Sequence, residues 1–90
     1  MESDLSQQIN IGKDTEARLI QVGISSFAEL KAVGAEQAFI RLQTVDPGAC
    51  LSRLSALEGA IQGVRWHSLP ARRKEELRAF IKMVKKKDSR

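Results

Sequence analysis

The chain has 90 residues, enough for one small domain. A domain of this size buries roughly 60–65% of the surface that its unfolded chain exposes. Its single cysteine cannot form an internal disulfide. No apolar run approaches the roughly 18 residues of a membrane span, and the polar, acidic N-terminus is unlike a signal peptide. These features exclude a disulfide-rich secreted protein and predict a cytoplasmic protein with no membrane partner.

The net charge of +4 is divided unevenly along the chain. Up to Gly63 there are five basic and eight acidic residues, whereas from Val64 onward there are ten basic and three acidic ones. This segregation places any attraction for an anionic partner mainly in the last third of the chain.

The stretch Ile9–Leu30 predicts a compact helical hairpin, preceded by a short opening helix at Asp4–Gln8. Gly12 lies where a turn leads into the first helix of the hairpin. Gly23 followed by the apolar Ile24 predicts a left-handed end to that helix, because glycine adopts positive φ without steric cost. The sequence therefore predicts a glycine turn, a helix, a glycine stop and a second helix.

The second helix of the hairpin has a recognisable start. Ser26 and Glu29 have the spacing of a capping box, in which the Ser side chain and the Glu side chain satisfy backbone N–H groups at the helix start. Gly34 breaks this helix, and a third helix is predicted over 35–43, before a turn at 46–48. Four apolar residues at helical spacing form the predicted core face of the third helix: Ala35, Ala38, Phe39 and Leu42.

A longer helix is predicted from about Ala49 to Gln62, with an apolar stripe and a separate side of small residues. The stripe comprises Leu51, Leu54, Leu57 and Ile61. The small side comprises Ala56, Gly59, Ala60 and Gly63. Small residues at this spacing indicate that another helix approaches closely, either within the domain or in a partner.

A connector from Val64 to Leu69 carries Trp66 and His67. We expect Trp66 to plug the gap where two helices turn, with His67 at the rim, and the alternative is that the pair stacks on a base or a partner. Ser68 and Pro70 are expected to open the final helix, which gives way to a solvated basic tail over 83–90.

No segment shows the alternation of apolar and polar residues that is typical of a strand. The prediction is an all-α domain spanning 1–90, a small bundle of about five helices.

Features of enzymes and metal sites are missing from the sequence. One His and one Cys do not provide the spacing that a zinc site needs, and no phosphate-binding loop or nucleophile elbow is present. Cys50, at the start of an apolar helix, is interpreted as a small buried hydrophobe rather than a reactive thiol. We therefore predict no enzyme, cofactor, metal or small-molecule substrate.

The first candidate site is the entry turn of the hairpin. A helix N-terminus gathers unpaired N–H groups that can receive a phosphate, and here Gly12 allows close approach while Lys13 adds positive charge. Asp14 and Glu16 oppose an anion at this place. The alternative is that Gly12 only permits the turn and Lys13 is solvated.

The second candidate is the final helix. At about 100° per residue, four of its cations fall within one sector of roughly 80° beside the apolar face. They are Lys74, Arg78, Lys82 and Lys85. Such a stripe is suited to a nucleic-acid backbone or an acidic protein surface, and the alternative is a solubilising face.

Three segments together resemble the C-terminal domain of the TfoX/Sxy family of bacterial competence regulators: Ile9–Ile24 (INIGKDTEARLIQVGI), Leu57–Pro70 (LEGAIQGVRWHSLP) and Lys74–Phe80 (KEELRAF). The resemblance covers about 9–82. Its most specific part is the arrangement of Gly59, Gly63, Trp66 and Pro70. It implies a small all-α domain with a helix-hairpin-helix-like unit and a role in switching on genes for DNA uptake.

The resemblance also sets two expectations. Full family members carry a separate N-terminal domain, so the chain is expected to be a stand-alone homologue or an isolated module. DNA-binding helix-hairpin-helix turns resemble apolar-Pro-Gly-apolar-Gly, and the matching positions here are 8–12. In these positions Ile9 replaces the Pro and Asn10 the first Gly, while Gly12 retains the second.

The sequence thus leads to two functional hypotheses. The first is a non-enzymatic regulatory module that contacts nucleic acid without reading its sequence, through Gly12, Lys13 and the basic stripe. The second is a protein-interaction module or homodimer that binds no nucleic acid and uses the small-residue side. Trp66 is included among the candidate interaction residues of this second hypothesis.

Overall fold

The structure is a computed structural model that describes residues 4–88, with the side chains of residues 4–84. Over these residues the chain forms five α-helices and two 3₁₀ turns, with no strand. The helices are α1 (Lys13–Gln21), α2 (Phe27–Val33), α3 (Ala35–Gln43), α4 (Leu51–Gln62) and α5 (Ala71–Asp88), and the 3₁₀ turns are Leu5–Gln7 and Trp66–Ser68. The predicted all-α fold of about five helices is confirmed.

Helix α1 ends as the sequence predicts. Gly23 has φ of 88°, its N–H donates to the carbonyl of Ile20 at 3.0 Å, and the N–H of Ile24 donates to the carbonyl of Leu19 at 2.9 Å. This pair of bonds is a Schellman motif, which satisfies carbonyls that the helix end leaves free. Leu19 and Ile24 are both fully buried, so the chain reversal also contributes to the core.

Helix α2 has the predicted cap, with one difference. The N–H of Glu29 donates to Ser26 Oγ at 3.2 Å, but the Glu29 carboxylate accepts from the N–H and the hydroxyl of Ser25, at 3.1 and 2.8 Å. The return bond therefore reaches one residue further back than in a capping box. These bonds from Ser25 lower the pKa of Glu29.

Helix α4 lies at the centre of the domain and packs against α2, α3, α5 and the second 3₁₀ turn. The four apolar residues predicted to form the core face of α3 are all buried. Phe39 of α3 meets Phe80 of α5 edge to face, with ring centroids 6.5 Å apart. The core thus joins α3 to the basic last third of the chain.

Two helix starts differ from the prediction. Helix α4 begins at Leu51, and Cys50 is its exposed N-cap, so the interpretation of Cys50 as a buried hydrophobe is wrong. The physical reason is that the extended backbone of Cys50, with φ of −136°, leaves this residue off the apolar face of the helix. Helix α5 begins after Pro70, because the residue before a proline is disfavoured in the helical region and Leu69 has ψ of 146°.

The C-terminal end of the described chain also differs from expectation. The backbone of α5 is helical as far as Asp88, so most of the segment expected to be a solvated tail continues the helix. The order of turn, helix, glycine stop and helix over Ile9–Leu30 agrees with the prediction. The likeness of this unit to a helix-hairpin-helix stays a prediction. In the described part of the chain, no helix is both long and apolar enough to cross a membrane.

Candidate functional site

A groove of about 160 Å³ lies between α4, α5 and the second 3₁₀ turn. Its lining combines cations, aromatic rings and hydroxyl groups: Leu51, Ser52, Ser55, Trp66, His67, Lys74 and Arg78. The fold thereby brings together two features that are separate in sequence, the Trp66–His67 pair and the basic stripe of α5. No carboxylate is among these lining residues.

Trp66 is 44% exposed and does not plug a gap between helices, so that prediction is wrong. Its indole ring meets the imidazole of His67 edge to face, with centroids 5.6 Å apart. The backbone of Trp66, rather than its ring, packs on α4: the Cα lies 3.1 Å from the place where a Cβ on Gly59 would be. Because the backbone fills this contact, the indole remains at the surface beside the groove.

Asn10 holds the segment that carries Trp66. Its Nδ2 donates to the carbonyl of Val64 at 2.8 Å, and its Oδ1 accepts from the N–H of Trp66 at 3.3 Å. Asn10 has φ of 71°, a left-handed conformation that few residues other than Gly, Asn and Asp adopt readily. Sequence reasoning treated Asn10 only as a replacement for a glycine. The available signal was that Asn tolerates this backbone and also offers a donor and an acceptor.

The predicted basic stripe is only partly a free surface. Lys74 is half-buried, and its Nζ donates to the carbonyl of His67 at 2.8 Å. Arg78 and Lys82 are exposed. The side chain of Lys85 lies outside the described residues. Lys74 therefore fixes α5 against the Trp66 turn as well as supplying charge to the groove.

Arg73, one residue before Lys74, is half-buried and forms ion pairs within the fold. Its guanidinium forms ion pairs with Glu36 and Glu58 at 2.9 Å each and with Glu76 at 3.1 Å. Glu58 is 8% exposed and also accepts a hydrogen bond from Gln62. The hydrogen bonds that Arg73 donates to Glu58 and Glu36 raise its pKa. The sequence did not reveal this cluster, because two of its three carboxylates, Glu58 and Glu36, lie 15 and 37 residues from Arg73 on other helices.

The entry turn provides a less positive environment than the groove. Gly12 has φ of −90° and ψ of 179°, an extended conformation that does not require glycine, and Lys13 is exposed. Asp14 pairs with Arg18 at 3.2 Å, and its carboxylate lies 3.7 Å from Arg53. The Glu16 carboxylate accepts from the Ser6 N–H at 3.1 Å. An anion at this turn would therefore meet two carboxylates in the first turn of α1.

The small-residue side of α4 makes its close contact inside the domain. Gly59 and Ala60 are buried, Ala56 is half-buried, and Gly63 is exposed with φ of 75° at the end of the helix. A Cβ on Gly59 would lie 2.5 Å from Asn10 Nδ2 and 2.7 Å from the carbonyl oxygen of Val64. The neighbour is thus the connector after α4 rather than another helix, and Gly59 and Ala60 offer little surface to a partner.

A metal site is not apparent in the described part of the chain, where no three His, Cys, Asp or Glu residues are grouped closely enough to hold an ion. Apart from Leu51, the groove residues are cations, hydroxyls and aromatic rings, a set suited to binding anions and flat rings rather than metal ions.

Comparison with solved structures gives two close matches from Listeria monocytogenes. One is a crystal structure of an uncharacterised protein in a triclinic form, 47% identical, with a TM-score of 0.88 and coverage of 90% of this chain and 92% of that one. The other is a protein of unknown function in a tetragonal form, 48% identical, with a TM-score of 0.86 and coverage of 89% and 98%. No curated protein matches the sequence.

The family comparison agrees with the resemblance seen in the sequence. The family model described as the TfoX C-terminal domain matches residues 1–81, most of the chain. This is a regulatory-type domain rather than a known enzyme family. The chain belongs to the TfoX C-terminal domain family.

Proposed function

We propose that this domain is a non-enzymatic regulatory module that contacts nucleic acid through the phosphate backbone, without reading base sequence. The observation that carries the proposal is the meeting of Lys74 and Arg78 with Trp66 and His67 on one groove that no carboxylate lines. The regulatory character follows from the family to which the chain belongs. Participation in competence regulation is part of the same proposal.

The charge distribution supports α5 rather than the entry turn as the contact surface. Arg73 is neutralised by three carboxylates within the fold, whereas Arg78 and Lys82 are exposed at the spacing of one helical turn. Cations that neutralise phosphates release condensed counterions, so the affinity falls steeply with salt. For a stripe of three or four cations, the slope of log K against log salt concentration should be about −2.7 to −3.6 on duplex DNA.

The decisive experiment is a binding titration across salt concentrations with matched charge reversals. The double variant Lys74→Glu with Lys82→Glu, whose two positions flank Arg78, is expected to abolish binding. The control is Arg72→Glu with Arg41→Glu, which changes the net charge equally at two exposed positions outside the stripe. Binding that is independent of salt, or equal loss in both double variants, would contradict the proposal.

The entry turn is tested separately with Lys13→Glu. If the groove contacts the nucleic acid, this charge reversal should weaken binding no more than Arg41→Glu does. The two variants change the net charge equally. A loss of affinity as large as that of the Lys74→Glu, Lys82→Glu double variant would show that the entry turn, rather than the groove, contacts the nucleic acid.

A protein partner is the second candidate, because an exposed tryptophan is typical of interaction hot spots and Trp66 is 44% exposed. A regulator protein or a second copy of the chain would use Trp66 with Ala56 and Gly63. A measurement of mass in solution, made beside the nucleic-acid titration, separates the candidates. Self-association that Trp66→Ala abolishes, with no binding of nucleic acid at low salt, would favour this second function.

A further inference from the structure

We infer that the groove receives an unpaired base of a single-stranded nucleic acid, stacked on Trp66, while the adjoining phosphates lie against Lys74 and Arg78. The inference rests on the proposed function and deepens it by naming the form of nucleic acid. It depends on the size of the groove, the way the indole is held, and the chemistry of the lining.

The size of the groove suits one flat ring. An engineered apolar cavity of about 150 Å³ holds a benzene molecule. The groove measures about 160 Å³, so it has room for a single six-membered ring such as that of a pyrimidine. A duplex presents no free base face, because its bases are paired and stacked. A ring enters the groove only from a strand whose bases are already unpaired or at the cost of unstacking.

The indole of Trp66 is exposed, yet the backbone beneath it is held at two places. Asn10 accepts from the N–H of Trp66, and the Cα of Trp66 packs closely over Gly59. His67 meets the indole at an interplanar angle of 89°. Little backbone freedom is therefore lost when a base stacks on the ring, which favours binding.

The other lining residues suit a nucleotide. Lys74 is anchored by its bond to the His67 carbonyl, and Arg78 is exposed beside it. Arg78 can pair with a phosphate through two parallel N–H groups or lie flat on a ring. Ser52 and Ser55 of α4 contribute hydroxyls that can donate or accept at the edge of a base. Aromatic stacking beside a track of cations is the pattern by which proteins bind single strands without strong sequence preference.

The sequence makes this inference directly measurable. Trp66 is the single tryptophan in the chain and there is no tyrosine, so the intrinsic fluorescence emission reports on Trp66. The protein is titrated at low salt with an oligothymidylate and with a duplex of the same length, and both affinity and emission are followed. We expect the single strand to quench the emission strongly and to bind more tightly, and the duplex to leave the emission nearly unchanged.

Substitutions at Trp66 supply the second readout. Trp66→Ala should weaken single-strand binding by about ten- to a hundredfold, the effect of losing one stacked base, and should leave duplex binding within about twofold. Trp66→Phe, which keeps a ring, should recover most of the single-strand affinity. Ile40→Ala is the matched control, because Ile40 is 40% exposed on α3 and does not line the groove.

The outcomes separate this inference from the proposed function. If both nucleic acids bind with a steep salt dependence, but Trp66→Ala changes neither affinity more than Ile40→Ala does, the inference is overturned and the proposed function stands. The same holds if the emission of the unsubstituted protein does not respond to the single strand. If neither nucleic acid binds at low salt, both are overturned.

Discussion

Asn10 accepts a hydrogen bond from the backbone N–H of Trp66 at 3.3 Å, although the two residues are 56 positions apart in the chain. The same side chain donates to the carbonyl of Val64. Asn10, two residues before Gly12, therefore fixes the backbone of the segment that carries the exposed indole. This gives the residues that precede α1 a structural role that is independent of any phosphate.

Removing the Asn10 side chain should destabilise the fold and loosen the Trp66 segment. Asn10→Ala loses two hydrogen bonds, each of which contributes about 1 kcal/mol to stability. It also introduces about 1 kcal/mol of backbone strain, because alanine is disfavoured at positive φ. We expect the free energy of unfolding in urea to fall by about 3 kcal/mol. Asn10→Gly, which permits φ of 71°, should cost about 1 kcal/mol less. Equal effects of the two variants would contradict the backbone part of this account.

The packing at Gly59 predicts a large effect from one methyl group. In Gly59→Ala the new Cβ would lie 2.5 Å from Asn10 Nδ2 and 2.7 Å from the carbonyl oxygen of Val64. Both distances are shorter than van der Waals contact, so the neighbouring atoms would have to shift. One of these neighbours is backbone, so relief requires the connector to shift. We expect a loss of about 2–3 kcal/mol in unfolding free energy, the range of overpacked sites.

Gly48→Ala is the control for that substitution. A Cβ at Gly48 would meet only Asp46 Oδ1, at an ordinary distance of 3.8 Å, and Gly48 does not have positive φ. Gly48→Ala should change the unfolding free energy by less than about 1 kcal/mol, and the change should be stabilising, because alanine restricts the unfolded chain. A Gly59→Ala protein as stable as the Gly48→Ala protein would show that the connector adapts freely.

The Arg73 cluster predicts that one arginine of α5 is structural. Arg73→Met leaves the Glu58 carboxylate buried without its cation, a loss expected to cost about 3 kcal/mol. Arg72→Met, at the exposed neighbouring position, should change the stability by less than about 0.5 kcal/mol. Adding Glu58→Gln to Arg73→Met should restore part of the lost stability, since it removes the unpaired charge. Thermal and urea unfolding of the four variants, the three above and Glu58→Gln alone, measure this coupling.

Acid should destabilise the protein partly through Glu36. The hydrogen bond from Arg73 lowers the pKa of Glu36 below its ordinary value of 4.5. A carboxyl whose pKa is lower in the folded state stabilises the protein above its unfolded pKa, and this contribution is lost as the pH falls through the folded pKa. The unfolding free energy should therefore decrease as the pH falls below about 4.5.

Glu36→Gln should make the unfolding free energy fall less steeply with decreasing pH, when urea unfolding is measured from pH 7 to low pH. Glu75→Gln is the control, because Glu75 is exposed on α5 and lies outside the Arg73 cluster. If neither variant changes the pH dependence of the unfolding free energy, the titration of Glu36 contributes little to acid unfolding.

The helices and their ends were largely predictable because their causes are local. The Gly23–Ile24 stop, the Ser26 cap and the buried face of α3 each depend on residues within about one or two turns of one another, where propensity and periodicity act. The late start of α5 also has a local cause in the Leu69–Pro70 pair, and it differs from the predicted opening of this helix at Ser68. Membership of the family was likewise visible in the sequence.

The groove was not predictable in the same way, because its parts are joined by contacts between distant segments. The sequence indicated a basic stripe and an aromatic pair, but only the packing of α5 against α4 sets Lys74 and Arg78 beside Trp66. Ion pairing likewise separates Arg73 from its neighbour Lys74, although both are half-buried, since three carboxylates from α3, α4 and α5 meet around Arg73.

By itself the sequence determined the helical class, most helix boundaries and the segregation of charge, since these follow from short-range backbone preferences and from composition. Only the tertiary structure decided which cations are used inside the fold, that Gly59 and Ala60 pack internally, and that Trp66 stands exposed over a groove. The physical reason is that burial and ion pairing depend on side chains that the fold brings together from positions as far apart as Asn10 and Trp66.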